Sequence, residues 1–177
     1  MSQSGILLYE QVQWLQRRCL TVANQIIFIK GDATAPSSKG TKIIAHICND
    51  IGGWGKGFVL ALSKKWSEPE RSYRKWYQSR DRFELGEMSL IQVEPYIYVA
   101  NMIAQRGIKT GSKGAPIRYD AVEKCLSTLS KEATKLNASI HMPRIGCGLA
   151  GGRWEEIEPL IEKALLRYGI SVYVYDF

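Results

Sequence analysis

The sequence predicts an α/β domain built on a mixed, largely parallel sheet of six strands. Three observations carry that expectation. Six short apolar or β-branched runs alternate with helical patterns along the chain. Two of those runs lead straight into glycine-rich turns that open helices. The length of 177 residues, 45% apolar and 23% charged, suits one domain with a core of its own.

The elements follow in order. Gln25–Lys30 (QIIFIK) reads as a buried strand running into a turn at Gly31-Asp32, and Lys42–Cys48 (KIIAHIC) reads as a second. Phe58, Ala61, Leu62 and Trp66 have helical spacing. Ser67-Glu68-Pro69-Glu70 has the form of a capping box with proline in the first turn, and Tyr73, Trp76 and Tyr77 follow on one helical face. Met88–Val93 and Tyr96–Met102 are strands joined closely around Glu94-Pro95. Val122, Cys125, Leu126, Leu129, Ala133 and Leu136 form the cleanest amphipathic stripe in the chain. Ala138–Pro143 is the fifth strand. The last helix begins with Glu155, Glu156 and Glu158, runs through Ile157, Leu160, Ile161, Ala164 and Leu165, and ends at Arg167 and Gly169; this charge order suits the helix dipole. Ile170–Asp176 closes the sheet. Residues 1–24 form an N-terminal extension whose stretch 5–20 is compatible with a helix, and residues 25–177 form the domain. Lys109–Gly114 is the most flexible-looking internal loop.

The formal charge of +7 points to an anionic partner without choosing one. No apolar run reaches the length of a membrane span, and Glu10 with Arg17-Arg18 interrupts any export signal, so no membrane contact is expected. Cys19, Cys48, Cys125 and Cys147 are scattered and form no C-x-x-C pair, while His46 and His141 lie far apart. The expectation is reduced thiols in a cytoplasm, with no metal and no cofactor.

The chemistry concentrates in two segments, Asn49-Asp50-Ile51-Gly52-Gly53-Trp54-Gly55-Lys56-Gly57 and Arg144-Ile145-Gly146-Cys147-Gly148-Leu149-Ala150-Gly151-Gly152. Each follows a strand and precedes a helix. Glycine lets backbone approach a ligand, and exposed N–H groups with a helix N-terminus face negative charge. Two such loops side by side can grip a diphosphate. Neither is a Walker A loop, and Gly53-x-Gly55-x-Gly57 is not the dinucleotide fingerprint.

At these residues the sequence resembles the macrodomains. The resemblance runs in order through Lys30-Gly31-Asp32, Ala45-His46, Gly52-Gly53-Trp54-Gly55-Lys56-Gly57, Pro116-Ile117-Arg118-Tyr119-Asp120, Met142-Pro143-Arg144-Ile145-Gly146-Cys147-Gly148-Leu149 and Val172-Tyr173-Val174-Tyr175. It is nearest the branch holding a chromatin-remodeller module, the terminal ADP-ribose protein glycohydrolase and the yeast ADP-ribose-1″-phosphatase. It implies a three-layer α/β/α fold and a site for ADP-ribose, free or as a modification. By resemblance, Gly31, Asp32 and Ala33 are ligand-binding, with the Asp32 carboxylate accepting from the adenine amino group. The loop of Gly52, Gly53, Trp54, Gly55, Lys56, Gly57 and Phe58 wraps the distal ribose and diphosphate, and Asn49 just before it is also ligand-binding. Ile145, Gly146, Cys147, Gly148, Leu149 and Ala150 form the second diphosphate loop, and Phe177 covers the adenine.

The departures are chemical. The glycohydrolase of that branch uses a lysine and an aspartate where this chain has Gln105 and Ala150, so its lysine-dependent mechanism is expected to be absent. The alternative to a binding module is a hydrolase of an ADP-ribose derivative, a 1″-phosphatase or ester hydrolase, with His46, Asn49 and Asp50 as the catalytic candidates. A locally paired core histidine is the plainer reading of both His46 and His141, and a small residue in a tight turn is the plainer reading of Cys147. The third reading is nonspecific contact between a basic surface and nucleic acid or poly-ADP-ribose. It is motivated by Arg71–Arg82 (RSYRKWYQSRDR), whose aromatics are expected to pack inward beneath a solvated basic face. A monomer is expected.

Overall fold

A computed structural model describes residues 25–109 and 114–176; the extension 1–24, the middle of the Lys109–Gly114 loop and Phe177 lie outside them. The elements run β1 (Ile27–Lys30), β2 (Thr41–Asn49), α1 (Phe58–Lys65), α2 (Glu68–Ser79), β3 (Met88–Glu94), β4 (Ile97–Gln105), α3 (Tyr119–Leu136), β5 (Ala138–Pro143), α4 (Trp154–Ala164), a 3-10 turn (Leu166–Tyr168) and β6 (Val172–Asp176). The strands form one sheet in the order β1-β6-β5-β2-β4-β3. Every neighbouring pair is parallel except β3–β4, the hairpin turned at Pro95-Tyr96.

Strand parity divides the core into two layers. Ile43 and Ala45 of β2 face one side, and Ile44, His46 and Cys48 face the other, because successive side chains of a strand alternate. On the first side the α3 stripe of Val122, Cys125, Leu126, Leu129 and Ala133 packs with Ile157 and Ile161 of α4. Each fully buried leucine there contributes about 1.5–3 kcal/mol. On the second side Trp54, Val59, Leu62, Trp66 and Tyr73 pack under α1 and α2. The helices therefore cover both faces, giving the three layers that the resemblance implies.

Three local expectations are corrected. β1 is not buried: it pairs only with β6, and Ile27 and Phe28 are exposed at this edge. The capping box does not form. Ser67 takes helical angles (φ −83°, ψ −19°) and makes no side-chain cap, while Glu70 instead accepts from Ser63 Oγ (2.9 Å) and Arg74 Nε (2.9 Å). The last helix stops at Ala164, and Gly169 (φ 72°) terminates the 3-10 turn that follows.

Candidate functional site

β2 and β5 are parallel neighbours, so the two glycine-rich segments rise side by side from the same end of the sheet. Open α/β sheets bind ligands at this end, where connections diverge. Asp32 leaves β1 at the same end, two strand spacings from β5, or about 10 Å.

Side chains build the first loop. Asn49 Oδ1 accepts from the N–H groups of Ile51 (3.1 Å) and Gly53 (2.9 Å), and Asn49 Nδ2 donates to the Gly53 carbonyl (2.7 Å). The buried Tyr73 hydroxyl donates to the Asn49 carbonyl at 2.5 Å and lies 3.1 Å from Asn49 Oδ1. Gly52 has φ 73°, and a Cβ there would overlap the Tyr77 ring. Asp50 faces the next connection: Oδ1 accepts from Gly107 N–H (2.7 Å), and Oδ2 lies 3.9 Å from Arg106 Nε. Trp54 turns inward, donating from Nε1 to Ser63 Oγ (2.8 Å), while Arg74 donates to its carbonyl (3.3 Å).

Backbone builds the second loop. Cys147 N–H donates to Arg144 O (3.2 Å), Gly151 N–H to Gly148 O (2.9 Å) and Gly152 N–H to Gly146 O (2.7 Å). Gly146 and Gly151 sit at φ 74° and 70°, where a side chain is strained. A Cβ on Gly152 would stand 2.7 Å from Gly146 O. Ala150 accepts from Ile117 N–H (3.0 Å), fastening the loop to the segment before α3.

The loops converge. Leu149, 63% exposed, places Cδ1 3.4 Å from where a Cβ on Gly57 would be. Gly55 and Gly148 each face open space, with no atom within 4 Å of a built Cβ. Among the described residues, the N–H groups of Gly55, Lys56 and Gly57 and of Gly148, Leu149 and Ala150 meet no protein acceptor. Two rows of donors thus border one opening, which suits an anion. At its far end Asp32 holds the backbone N–H and hydroxyl of Thr34 (both 2.8 Å), which fixes an exposed carboxylate.

Not every candidate side chain is available. Ala33, Trp54, Ile145 and Ala150 are buried, so contact there is through backbone. Lys56 is exposed and Phe58 half-buried. His46 is buried, hydrogen-bonded through Nε2 to Asn101 Oδ1 (2.6 Å) and edge-on to Trp54; burial lowers its pKa to about 4. It is therefore a neutral core group. His141 is buried too, with Tyr175 Oη on Nδ1 (2.9 Å) and Ser38 and Ser139 hydroxyls on Nε2 (3.0 and 2.9 Å); burial lowers its pKa to about 4. Burial raises the Cys147 pKa despite nearby Arg144, so no thiolate is prepared there. Gln105 closes β4 and donates to Gly107 O (2.8 Å).

Sequence reasoning missed Tyr73 and Thr34 as builders of the site. Tyr73 was legible as an inward aromatic, but nothing local signals that its hydroxyl meets Asn49, 24 positions away. Asp32-x-Thr34 has the spacing of a local side-chain turn and could have been read. Two cavities lie elsewhere: one of about 470 Å³ at the amino ends of β2, β5 and β6, and one of about 510 Å³ between α3 and α4. Neither touches a glycine loop. Among the described residues no three His, Cys, Asp or Glu side chains are grouped to hold a metal, and no helix is long and apolar enough to cross a membrane.

No family model matches the chain. It is 53% identical to a solved macrodomain protein from Streptomyces coelicolor, covering 86% of this chain and 99% of that one, with a TM-score of 0.79. It is 34% identical over 161 residues to the chromodomain-helicase-DNA-binding protein 1-like of Danio rerio, a match spanning 86% of this chain and only 16% of that protein. It is 27% identical to the ADP-ribose 1″-phosphate phosphatase of Lodderomyces elongisporus over 84% of this chain and 98% of that one.

Proposed function

The chain belongs to the macrodomain family, and from that premise we propose that it binds ADP-ribose, free or at the end of a modified macromolecule, through the two glycine loops. The observation that carries the reading is the open space at Gly55 and Gly148, beside N–H groups of both loops that, among the described residues, meet no protein acceptor. A diphosphate there meets backbone donors from two sides, and the fixed Asp32 carboxylate accepts from the adenine amino group. Phe177 lies beyond the described residues; its aromatic ring suits stacking on the base.

Titration calorimetry with ADP-ribose tests this. One saturable site is expected, with affinity about tenfold lower in Asp32→Ala and lost in Gly55→Glu, whose side chain fills the opening with negative charge. No heat at about 1 mM ligand, the weak limit for a specific small-molecule site, or unchanged affinity in Asp32→Ala, would sink it.

The hydrolase reading draws support from the phosphatase relative and from Asp50, a partly accessible carboxylate beside the first loop. Against it stand the roles already filled: Asn49 and Asp50 hold backbone, and His46 is buried and neutral. Incubation with ADP-ribose-1″-phosphate and with glutamate-linked ADP-ribose is expected to give no turnover above the Gly55→Glu variant. Turnover lost in Asp50→Asn would transfer the function to catalysis.

A further inference from the structure

One residue ties the two arms of the site. β6 lies between β1 and β5, and Asp176 ends it. The Asp176 carbonyl accepts from the N–H of Gly31 (2.9 Å), next to Asp32. Its carboxylate accepts from both arms of the Arg144 guanidinium, Oδ1 from Nε at 2.6 Å and Oδ2 from a terminal nitrogen at 2.9 Å. Arg144 opens the second glycine loop, where its carbonyl accepts from Cys147 N–H (3.2 Å). Asp176 therefore joins the Asp32 turn to the second loop, and Phe177 is the next residue in the chain.

Aromatic rings fix the guanidinium. Its carbon lies 5.0 Å from the centre of the Phe28 ring and 5.1 Å from that of Trp154. The two rings meet edge-on, with centroids 6.1 Å apart. Phe28 belongs to β1, the strand that leads into Asp32, and Trp154 is the first residue of α4, just past the second loop. Both ends of that loop thus close on β1. The Arg144 and Asp176 side chains are 40% and 42% exposed. An ion pair so exposed adds little to stability. A two-pronged pair flanked by rings instead fixes direction.

We propose that Arg144 is a positioning residue for ADP-ribose: its clamp on Asp176 holds the Asp32 turn and the second glycine loop at a fixed separation, so that adenine and diphosphate are read as one ligand. The proposal rests on the proposed function. The turn and the loop leave strands that do not pair with each other, and among the described residues no hydrogen bond joins them directly. Binding groups must be held to within about 0.5 Å to act together, and the clamp is what spans this gap. Arg144 is not itself the phosphate cation, because Nε and a terminal nitrogen are both turned to Asp176.

The test is calorimetry on the full chain with ADP-ribose and with its hypoxanthine analogue, which lacks the amino group that Asp32 would accept from. The wild type is expected to prefer ADP-ribose by about tenfold. Arg144→Gln should weaken ADP-ribose binding about tenfold and narrow that preference to about threefold or less, with the urea midpoint unchanged. Arg144→Lys, which keeps the charge and loses the fork, should fall between the two. Asp176→Ala should match Arg144→Gln, and the double variant should bind no more weakly than either. In the free protein, amide exchange should quicken at Gly31 and Gly152 in Arg144→Gln and stay unchanged at Gly53. If ADP-ribose gives the wild type no heat while exchange quickens at Gly31 and Gly152, the tether stands and the proposed function falls. If ADP-ribose binds and Arg144→Gln keeps the wild-type preference, leaves exchange unchanged, or lowers the urea midpoint in step with affinity, positioning is overturned. Undiminished binding in Asp176→Ala would make Arg144 a direct phosphate ligand and overturns it as well.

Discussion

The two glycine loops leave adjacent parallel strands and border one opening, yet they are built in opposite ways. The first is shaped by side chains from outside its glycines: the Asn49 amide, the Tyr73 hydroxyl and the Asp50 carboxylate. The second is shaped by its own backbone, through Gly152 N–H to Gly146 O and left-handed angles at Gly146 and Gly151. One donor array can therefore be held by distant packing or by local glycine geometry. The two constructions should fail differently.

Acidification should have the largest effect, and it reaches both loops. Each loop's parent strand carries a buried histidine three residues before the loop's first polar anchor: His46 before Asn49 and His141 before Arg144. Both folded pKa values are lowered to about 4 by burial. Between about pH 6.5 and 4 the unfolded chain binds protons that the folded chain refuses. Stability is thus fully present above pH 6.5 and falls as pH drops through that window, by up to about 3 kcal/mol per histidine. Urea unfolding at a series of pH values checks this. His46→Gln should remove about half of the histidine-dependent loss, and an unchanged profile would contradict the assignment.

Asn49→Ala should come next and isolate the first loop. It removes the acceptor of two loop N–H groups and the donor to Gly53 O, at a cost of about 2–3 kcal/mol by denaturant unfolding. ADP-ribose affinity should fall more than tenfold even where the protein is fully folded. Asn49→Asp keeps the acceptor but sets a buried carboxylate oxygen against the Gly53 carbonyl, so it should recover only part of the stability.

Gly152→Ala should break the second loop at about 1–3 kcal/mol, because the new methyl meets the Gly146 carbonyl and the backbone must shift. Amide exchange should then quicken in residues 144–152 and stay unchanged at Gly53. Equal quickening in both loops would mean that they form one cooperative unit.

The smallest effect sharpens the comparison. A Cβ at Gly55 or Gly148 meets nothing within 4 Å, so either glycine changed to alanine should alter stability by less than about 0.5 kcal/mol. Calorimetry with ADP-ribose should nonetheless show weaker binding in both, since each methyl enters the opening.

Much of the fold was legible because its signals are local. The α3 stripe fell where the structure places it, and each glycine turn was recognisable by following a strand and opening a helix. The failures were non-local or competitive. QIIFIK looked like a core strand, but composition cannot say which strand takes the sheet edge. Ser67-Glu68-Pro69-Glu70 matched a capping box, but Ser63 and Arg74 compete for Glu70 and win it. Within the site, glycine positions were readable, whereas the employment of Asn49 and Asp50 was not. Their partners come from Tyr73 and Gly107, brought close only when α2 and β4 pack beside β2.

By itself, then, the sequence determined the alternation of strands and helices, the location of the glycine loops and the basic balance of the chain, since periodicity, backbone freedom and charge are carried by residues and their near neighbours. Only the tertiary structure decided which carboxylates, amides and histidines remain available. Burial and hydrogen-bond partnership are set by segments far apart in the chain, and they pair His46 with Asn101, Asn49 with Gly53 and Asp50 with Gly107.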